Sequence, residues 1–414
     1  MKLLLFCIFI FLTGFNYWLR HINLQYLKLN GDKIPVGFEG ALDEEKLRKS
    51  SAYTFDSSTV GLWDSLFDNL LLVLFLFCGV LASYDHYIAN LNNSFVVSGI
   101  IFFLVMTWVQ TLLGIPFDLY GTFVIEARYG FNTTTSRLWW LDFIKSQIIG
   151  TVLISLLLGV VFGLIQWSPH YWWVWVWGFM AFFTLFMMFI SPYVIEPLFN
   201  KYEPVTKEGL EDDIKAMMEK GGLKVGKVLQ MDASKRSNHS NAYFTGIGKV
   251  KRIVLYDTLI NQMTHGEIVA VLAHEIGHWK KGHIWKRLVW AETMALAGSW
   301  ISFKLLAWEG LPGILGLPAD ISLPAKMVVL GFISSLALFP LGPFSAWRSR
   351  CHEREADRYA SDLTGKPEDL ASALIKMSAE NLSNLFPHPL YAAINYSHPP
   401  VVERVANLKQ TAGA

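Results

Sequence analysis

Residues 147–193, QIIGTVLISLLLGVVFGLIQWSPHYWWVWVWGFMAFFTLFMMFISPY, contain no Asp, Glu, Lys or Arg. A run of that length is too long for one buried core helix and long enough for two membrane crossings of roughly 20 residues each. The break at WSPHY divides it into spans at about 147–168 and 171–193. Outward from this pair, further apolar segments of spanning length occur at 3–19, 64–84, 95–116, 288–308 and 326–347. The expectation is seven transmembrane helices and an all-α membrane protein carrying a smaller α+β unit. Lys2 ahead of the first run resembles a signal peptide, but Phe15, Asn16, Tyr17 and Trp18 stand where small cleavage-site residues belong, so the first segment reads as a retained anchor.

The rest of the composition agrees. Of 414 residues 53% are apolar and the net charge is +1, which leaves no basic footprint for nucleic acid. Cys7, Cys78 and Cys351 are far apart and form neither a disulfide framework nor a thiolate metal site, so any metal must use His and carboxylate. Loop charge sets the expected orientation. Arg20, Lys28, Lys33, Lys46, Arg48 and Lys49 follow the first span and Arg128, Arg137 and Lys145 the third, whereas the loops after the second and fourth spans carry no Lys or Arg. By the positive-inside rule the odd loops and the C-terminal tail are cytoplasmic, and the N-terminus is outside or lumenal.

The chain then divides into residues 1–198 with five spans, a transmembrane hairpin at 288–347, and two polar segments, 199–287 and 348–414. The hairpin, turned by EGLPGILGLP at 309–318, returns the chain beside its start, so the polar segments combine into one cytoplasmic unit. Within it KEGLEDDIKAMMEKGG at 207–222 predicts an amphipathic helix ended by Gly221 and Gly222. KVLQMD, SNAYFTG and KRIVLYD predict strands, the last two as a hairpin turned at GIGK, 246–249. THGEIVAVLAHEIGHWKKGH, 264–283, opens with the capping box Thr264-x-x-Glu267 and keeps helical apolar spacing.

That helix carries the chemistry. His274 and His278, four residues apart, project from one face and can ligate one ion together. Glu275 beside them can take the proton of a zinc-activated water as it attacks a carbonyl, then pass it to the leaving nitrogen. Catalytic zinc usually takes three protein ligands. His283 comes nine residues after His274, where the ten of the metzincin pattern fall on Ile284, so His283 reads as solvated or as a neighbour of the ligands. The better third ligand lies in SRCHEREADRYASDL, 349–363, a polar helix continuing the seventh span. There Glu353 and Asp357 share a face: Glu353 would ligate zinc and Asp357 would orient a ligand histidine, while Glu355 points elsewhere. Without the upstream H-E-x-x-H the same segment would be an ordinary charged helix face.

HEIGHWKKGH, EREADRYA, SKRSNHSNAYFTGIGKVKRIVLYDTL, EPLFNKYEP, IEARYGFN and YSHPPVVERV, in order along the chain, each resemble a signature of the type I CaaX prenyl proteases, integral-membrane zinc endopeptidases. The resemblance implies a barrel of seven long helices around a water-filled chamber, with one zinc ion per chain held by His274, His278 and Glu353 and with Glu275 as the catalytic carboxylate. It also implies substrate contacts at Asn241 and Ala242 of NAYF, and at His398 and Arg404 of HPPVVER. Those last roles have a physical reading. An extended peptide can pair with an exposed strand at 241–244, and His398 or Arg404 could stabilise an oxyanion. Taken alone, SHPP is a turn and Asn241 a strand-entry residue. The tail ends soon after NLKQTAGA and the outer loops are short, a departure from relatives with longer ones that bears on partner-specific regulation.

The function expected is hydrolysis near the C-terminus of prenylated proteins or of other membrane-associated peptides, the reaction class from the metal site and the substrate class from the resemblance. A quality-control metalloprotease would share the chemistry. A transporter or lipid-binding protein with a structural zinc is the alternative of another class, with Asp64, Asp68, Lys304, Pro340 and Pro343 as its candidate residues at membrane depth.

Overall fold

The apolar stretches read from the sequence fold as long helices. In the computed structural model, described over residues 1–245 and 250–412, the N-terminal half is helical throughout. It comprises α1 (Lys2–Asn30), α2 (Glu44–Phe77), α3 (Val80–Ala89), α4 (Phe95–Tyr120), α5 (Ala127–Tyr129), α6 (Ser136–Trp167) and α7 (Trp172–Val194). Side-chain caps start several of them: Asp43 accepts from Lys46 N, Ser94 from Val97 N and Thr135 from Leu138 N, each satisfying a donor the first turn leaves open.

Five helical stretches are long and apolar enough to cross a membrane: Lys2–Asn30, Glu44–Phe77, Phe95–Tyr129, Ser136–Trp167 and Trp172–Leu198. A sixth is reached if α12 (Leu323–Ala337) and α13 (Leu341–Thr364), bent by 60° across Leu338–Pro340, count as one span. The expected straight span at 326–347 is therefore broken, at the point where Pro340 caps the second helix. The expected segment 288–308 lies on α11 (His283–Leu306), which carries Glu292 and Lys304 and is not among the five. The segment 64–84 ends at Phe77, and Gly79 at φ +86 starts α3.

The polar half folds around α8 (Leu210–Lys220), α9 (Asp257–Gln262) and α10 (His265–Lys280), with α14 (Pro367–Glu380), α15 (Pro389–Asn395) and α16 (Val401–Ala412) beyond α13. Its four-stranded sheet has the order β1-β2-β4-β3, from β1 (Tyr202–Pro204), β2 (Lys224–Met231), β3 (Ala242–Thr245) and β4 (Val250–Tyr256). The strands β3 and β4 pair antiparallel, Ala242 with Leu255 and Phe244 with Ile253, as a hairpin requires. Its turn at 246–249 lies outside the described residues. The third predicted strand, β2, runs parallel to β4, and β1 was not foreseen. The main apolar core joins Ile214 and Met218 of α8, Ile253 and Leu255 of β4, Ile268, Leu272 and Ile276 of α10, and Leu370 of α14. Phe38, Leu42 and Leu47, from the segment entering α2, are buried in that same core.

A second junction ties the membrane helices to this half. After Tyr120 the chain makes a π-helical turn, Gly121–Glu126, which re-aims Glu126 as such turns do. Glu126 accepts from Tyr53 Oη at 2.6 Å and sits 3.2 Å from His239 Nε2. Phe131 stacks on the His239 ring at 4.0 Å, Asn238 N donates to Phe131 O, and Asn238 Nδ2 donates to Gly130 O. The segment leading into β3 is thus held against the end of a membrane helix.

Candidate metal centre

The helix α10 begins as the sequence predicts, with both halves of the Thr264–Glu267 capping box formed. Glu267 is buried and also receives hydrogen bonds from Ser372 Oγ at 2.6 Å and Lys376 Nζ at 2.8 Å, which anchor the first turn of α10 on α14. Ile268, Leu272, Ala273 and Ile276 bury one side in the core. The other side packs on α13, and the contact is close because residue 277 is glycine. A Cβ there would stand 3.0 Å from both Cα and O of Ala356.

This contact brings the carboxylate to the histidines. Glu353 Oε1 is 3.2 Å from His278 Nε2, Glu353 Oε2 is 3.3 Å from His274 Nε2, and the two ring nitrogens are 3.2 Å apart. His274, His278 and Glu353 are the one group among the described residues with three ligand atoms mutually within 4.8 Å. Glu353 is 2% exposed, and its Oε2 receives no well-directed hydrogen bond despite the nitrogens around it. A buried carboxylate beside two imidazole nitrogens, with one oxygen left without a hydrogen bond, is a donor set of two nitrogens and one oxygen that fits a divalent cation.

Each histidine is held through its other nitrogen. His274 Nδ1 lies 2.8 Å from Asp357 Oδ1, and Asp357 is clamped by Arg404, with Nε to Oδ2 at 2.8 Å and Nη2 to Oδ1 at 2.6 Å. Burial lowers the pKa of His274, but the carboxylates of Asp357 and Glu353 outweigh it and push the value up to about 9. His278 Nδ1 lies 3.0 Å from His283 Nδ1. Gly282, at φ +67, makes the tight turn into α11 that returns His283 to the site. His283 is 1% exposed, so the solvated alternative is excluded by burial. Its Nε2 meets Glu355 Oε2 at 3.0 Å, and its ring lies flat on His352, centroids 4.0 Å apart. Glu355, expected to point elsewhere, is drawn to His283.

The remaining candidates fall at different distances. His398 is exposed just before α16, with Nδ1 2.8 Å from Glu353 Oε2. Arg404 is mostly buried, its side chain 10% exposed, and lies 3.8 Å from Glu353 Oε2 with its fork occupied by Asp357. Glu275 is half-buried and its charge is felt at Arg404. Asn241 is exposed ahead of β3, with its own Oδ1 accepting from Ala242 N at 2.8 Å. Among the described residues β3 is the last strand of its sheet, with no strand paired on its outer side, and it lies beside α10. The sequence offered His283 as a neighbour of the ligands and Glu355 as lying off their face, but neither their pairing nor the close approach at Gly277.

Comparison with known proteins agrees with this geometry. Residues 23–201 match the family model described as CAAX prenyl protease N-terminal, five membrane helices, and residues 204–412 match peptidase family M48. The chain is 34% identical to CAAX prenyl protease 1 homolog of Arabidopsis thaliana, covering 94% of this chain and 93% of that one. It is 31% identical to CAAX prenyl protease 1 of Saccharomyces cerevisiae over 93% and 90%. The crystal structure of S. mikatae Ste24p superposes with a TM-score of 0.91 at 28% identity, covering 98% of each chain. The chain therefore belongs to the CAAX prenyl protease 1 family, multi-pass membrane metalloendopeptidases of peptidase family M48.

Proposed function

We propose that the chain is a zinc endopeptidase that hydrolyses peptide bonds near the C-terminus of prenylated proteins, within a chamber walled by seven helices. The observation that carries the reading is the buried His274–His278–Glu353 group set beside an edge strand in a membrane chain. Support for a hollow interior comes from burial. In the most apolar window of each of the five long helices only 0–17% of residues are buried, fewer than a close-packed bundle would bury. Adding α11 and the bent α12–α13 pair gives seven walls. The units are 1–198, the hairpin 288–347, and the peptidase formed by 199–287 with 348–414. The nine Lys and Arg of the first and third loops favour a cytoplasmic peptidase and C-terminus, with the N-terminus outside or lumenal.

His274, His278 and Glu353 would hold one zinc ion, which when bound supplies Lewis acidity toward the scissile carbonyl and lowers the pKa of water. Glu275, next in chain to His274, takes the water proton and delivers it to the leaving nitrogen. Asp357 holds His274 with Nε2 toward the ion, and Arg404 fixes Asp357 and adds positive charge near the developing oxyanion, joined by exposed His398. Asn241 and Ala242 offer edge-strand backbone, and Asn241 the NH2 of its side-chain amide, to an extended peptide. The deciding experiment compares cleavage of a farnesylated CaaX peptide with its unprenylated twin. A strong preference for the farnesylated peptide supports the reading; equal cleavage of both moves the function to general membrane quality control.

A further inference from the structure

The two ligand histidines are held by unlike partners. His274 is backed by a buried carboxylate clamped to an arginine. His278 is backed by an imidazole, and that imidazole by a carboxylate half open to solvent. The proton assignments along the second arm are fixed by elimination. With a metal ion on Nε2 of His278, the proton of the neutral ring is on Nδ1, so Nδ1 donates. His283 Nδ1 must then accept at 3.0 Å, which puts the proton of His283 on Nε2, from where it donates to Glu355 Oε2 at 3.0 Å. Every nitrogen has one role, and the chain runs from the metal position to a surface carboxylate without a break.

Three elements build it. His278 ends α10, His283 begins α11 one glycine turn later, and Glu355 lies on α13 two residues from Glu353. His352, one turn of α13 away from Glu355, covers the face of the His283 ring with an interplanar angle of 9° and so fixes its plane. A histidine at 1% exposure whose two nitrogens are both engaged, with an aromatic ring stacked on it, is held in one orientation.

We propose that His283 and Glu355 are positioning residues for metal binding, orienting His278 through a His278–His283–Glu355 hydrogen-bond relay that lets a surface carboxylate set how tightly zinc is held. The inference rests on His278 being a zinc ligand. The relay keeps His278 in the tautomer that presents Nε2, and its terminal negative charge makes the imidazole a stronger donor to the metal. Removing partners of this kind typically weakens metal affinity by about 10–100-fold.

The test follows zinc loss from the full-length protein in detergent to a competing chelator at fixed pH. His283→Ala and His283→Phe should each release zinc about 10–100 times more readily than the parent. The Phe variant keeps a ring against His352 but has no acceptor for His278. Native retention by His283→Phe would mean that packing is the role, and would overturn the proposal. Glu355, exposed, can be changed without disturbing the core: Glu355→Ala should weaken retention several-fold, and Glu355→Gln, whose amide oxygen still accepts from His283 but carries no charge, should restore only part of it. Equal retention by Glu355→Ala and the parent also overturns the relay. His278→Ala in the same assay separates the two claims, because native retention there removes the ligand assignment itself, whereas its loss beside unchanged His283 and Glu355 variants removes the relay alone.

Discussion

Gly277→Ala adds a single methyl group, and the packing of α10 on α13 states what it would meet. The new Cβ would lie 3.0 Å from Ala356 Cα, 3.0 Å from Ala356 O and 3.3 Å from Ala356 Cβ. The first two are backbone atoms and cannot rotate away. Ordinary carbon contacts begin near 3.5 Å, so the helices must separate by about half an ångström. Glu353 is one turn before Ala356 on α13, and His274 and His278 flank residue 277 on α10, so the separation falls on the ligand triangle. Metal–ligand distances tolerate only about 0.2 Å. Stability changes less: alanine gains roughly 1 kcal/mol over glycine inside a helix, against about 1–3 kcal/mol for overpacking. Gly277→Ala should therefore remain folded, within about 2 kcal/mol of the parent, yet lose zinc readily and turn over peptide at least tenfold more slowly. The assays are zinc content after dialysis and cleavage of a quenched fluorescent peptide, with thermal unfolding as the control. Native zinc content and turnover would refute the claim that this glycine sets the distance between the histidines and Glu353.

Glu275→Gln should retain zinc and lose nearly all turnover, whereas Glu353→Ala should lose both; metal analysis beside a peptide assay reads the difference, and a fully loaded, active Glu353→Ala sinks the ligand assignment. Asn241→Ala should leave metal and fold intact and lower kcat/KM by roughly ten- to a hundredfold, the worth of about 1–3 kcal/mol of lost positioning; wild-type kinetics would speak against a substrate contact. Because His274 is held at about 9 without metal, zinc uptake near neutrality must displace its proton, so apparent affinity should rise with pH until about 9, and titrations across that range that show no proton release would contradict it. In the metal-free protein the same raised value contributes stability that is complete below about pH 6.5 and lost as pH rises through about 9. A tag after Ala414 should be inaccessible to impermeant reagent in intact cells, and labelling there would reverse the proposed sidedness.

Features set by local periodicity were legible in the sequence. The spacing of His274 and His278, the Thr264–Glu267 box and the shared face of Glu353 and Asp357 all follow from 3.6 residues per turn, and the structure brings His274, His278, Glu353 and Asp357 together. What escaped depends on contacts between distant elements. The pairing of Glu355 with His283 spans 72 residues and exists only because α11 and α13 meet beside α10, so helix periodicity could place Glu355 off the ligand face but not say what that other face would touch. Hydropathy failed in the same way at 326–347. A window of apolar residues reads the same across a straight helix and across the 60° bend at Leu338–Pro340. Gly277 looked like one more small residue inside a signature until Ala356 appeared opposite it.

The junction of Glu126 with His239 joins the end of a long apolar helix to the edge strand of the sheet. The stretch Phe95–Tyr129 has 35 residues, a contour of about 52 Å at 1.5 Å per residue, against a hydrocarbon core of roughly 30 Å. It must lean, or push its far end out of the lipid, and that end carries Glu126 and is followed directly by Gly130 and Phe131. Membrane thickness sets how far the end stands from the lipid, and His239 and Asn238 are tied to it by side chain and main chain with β3 only two residues further on. No slack segment separates the two. Hydrophobic mismatch at that helix is therefore expected to reach the edge strand, and cleavage rates compared in bilayers of different lipid chain length would read it.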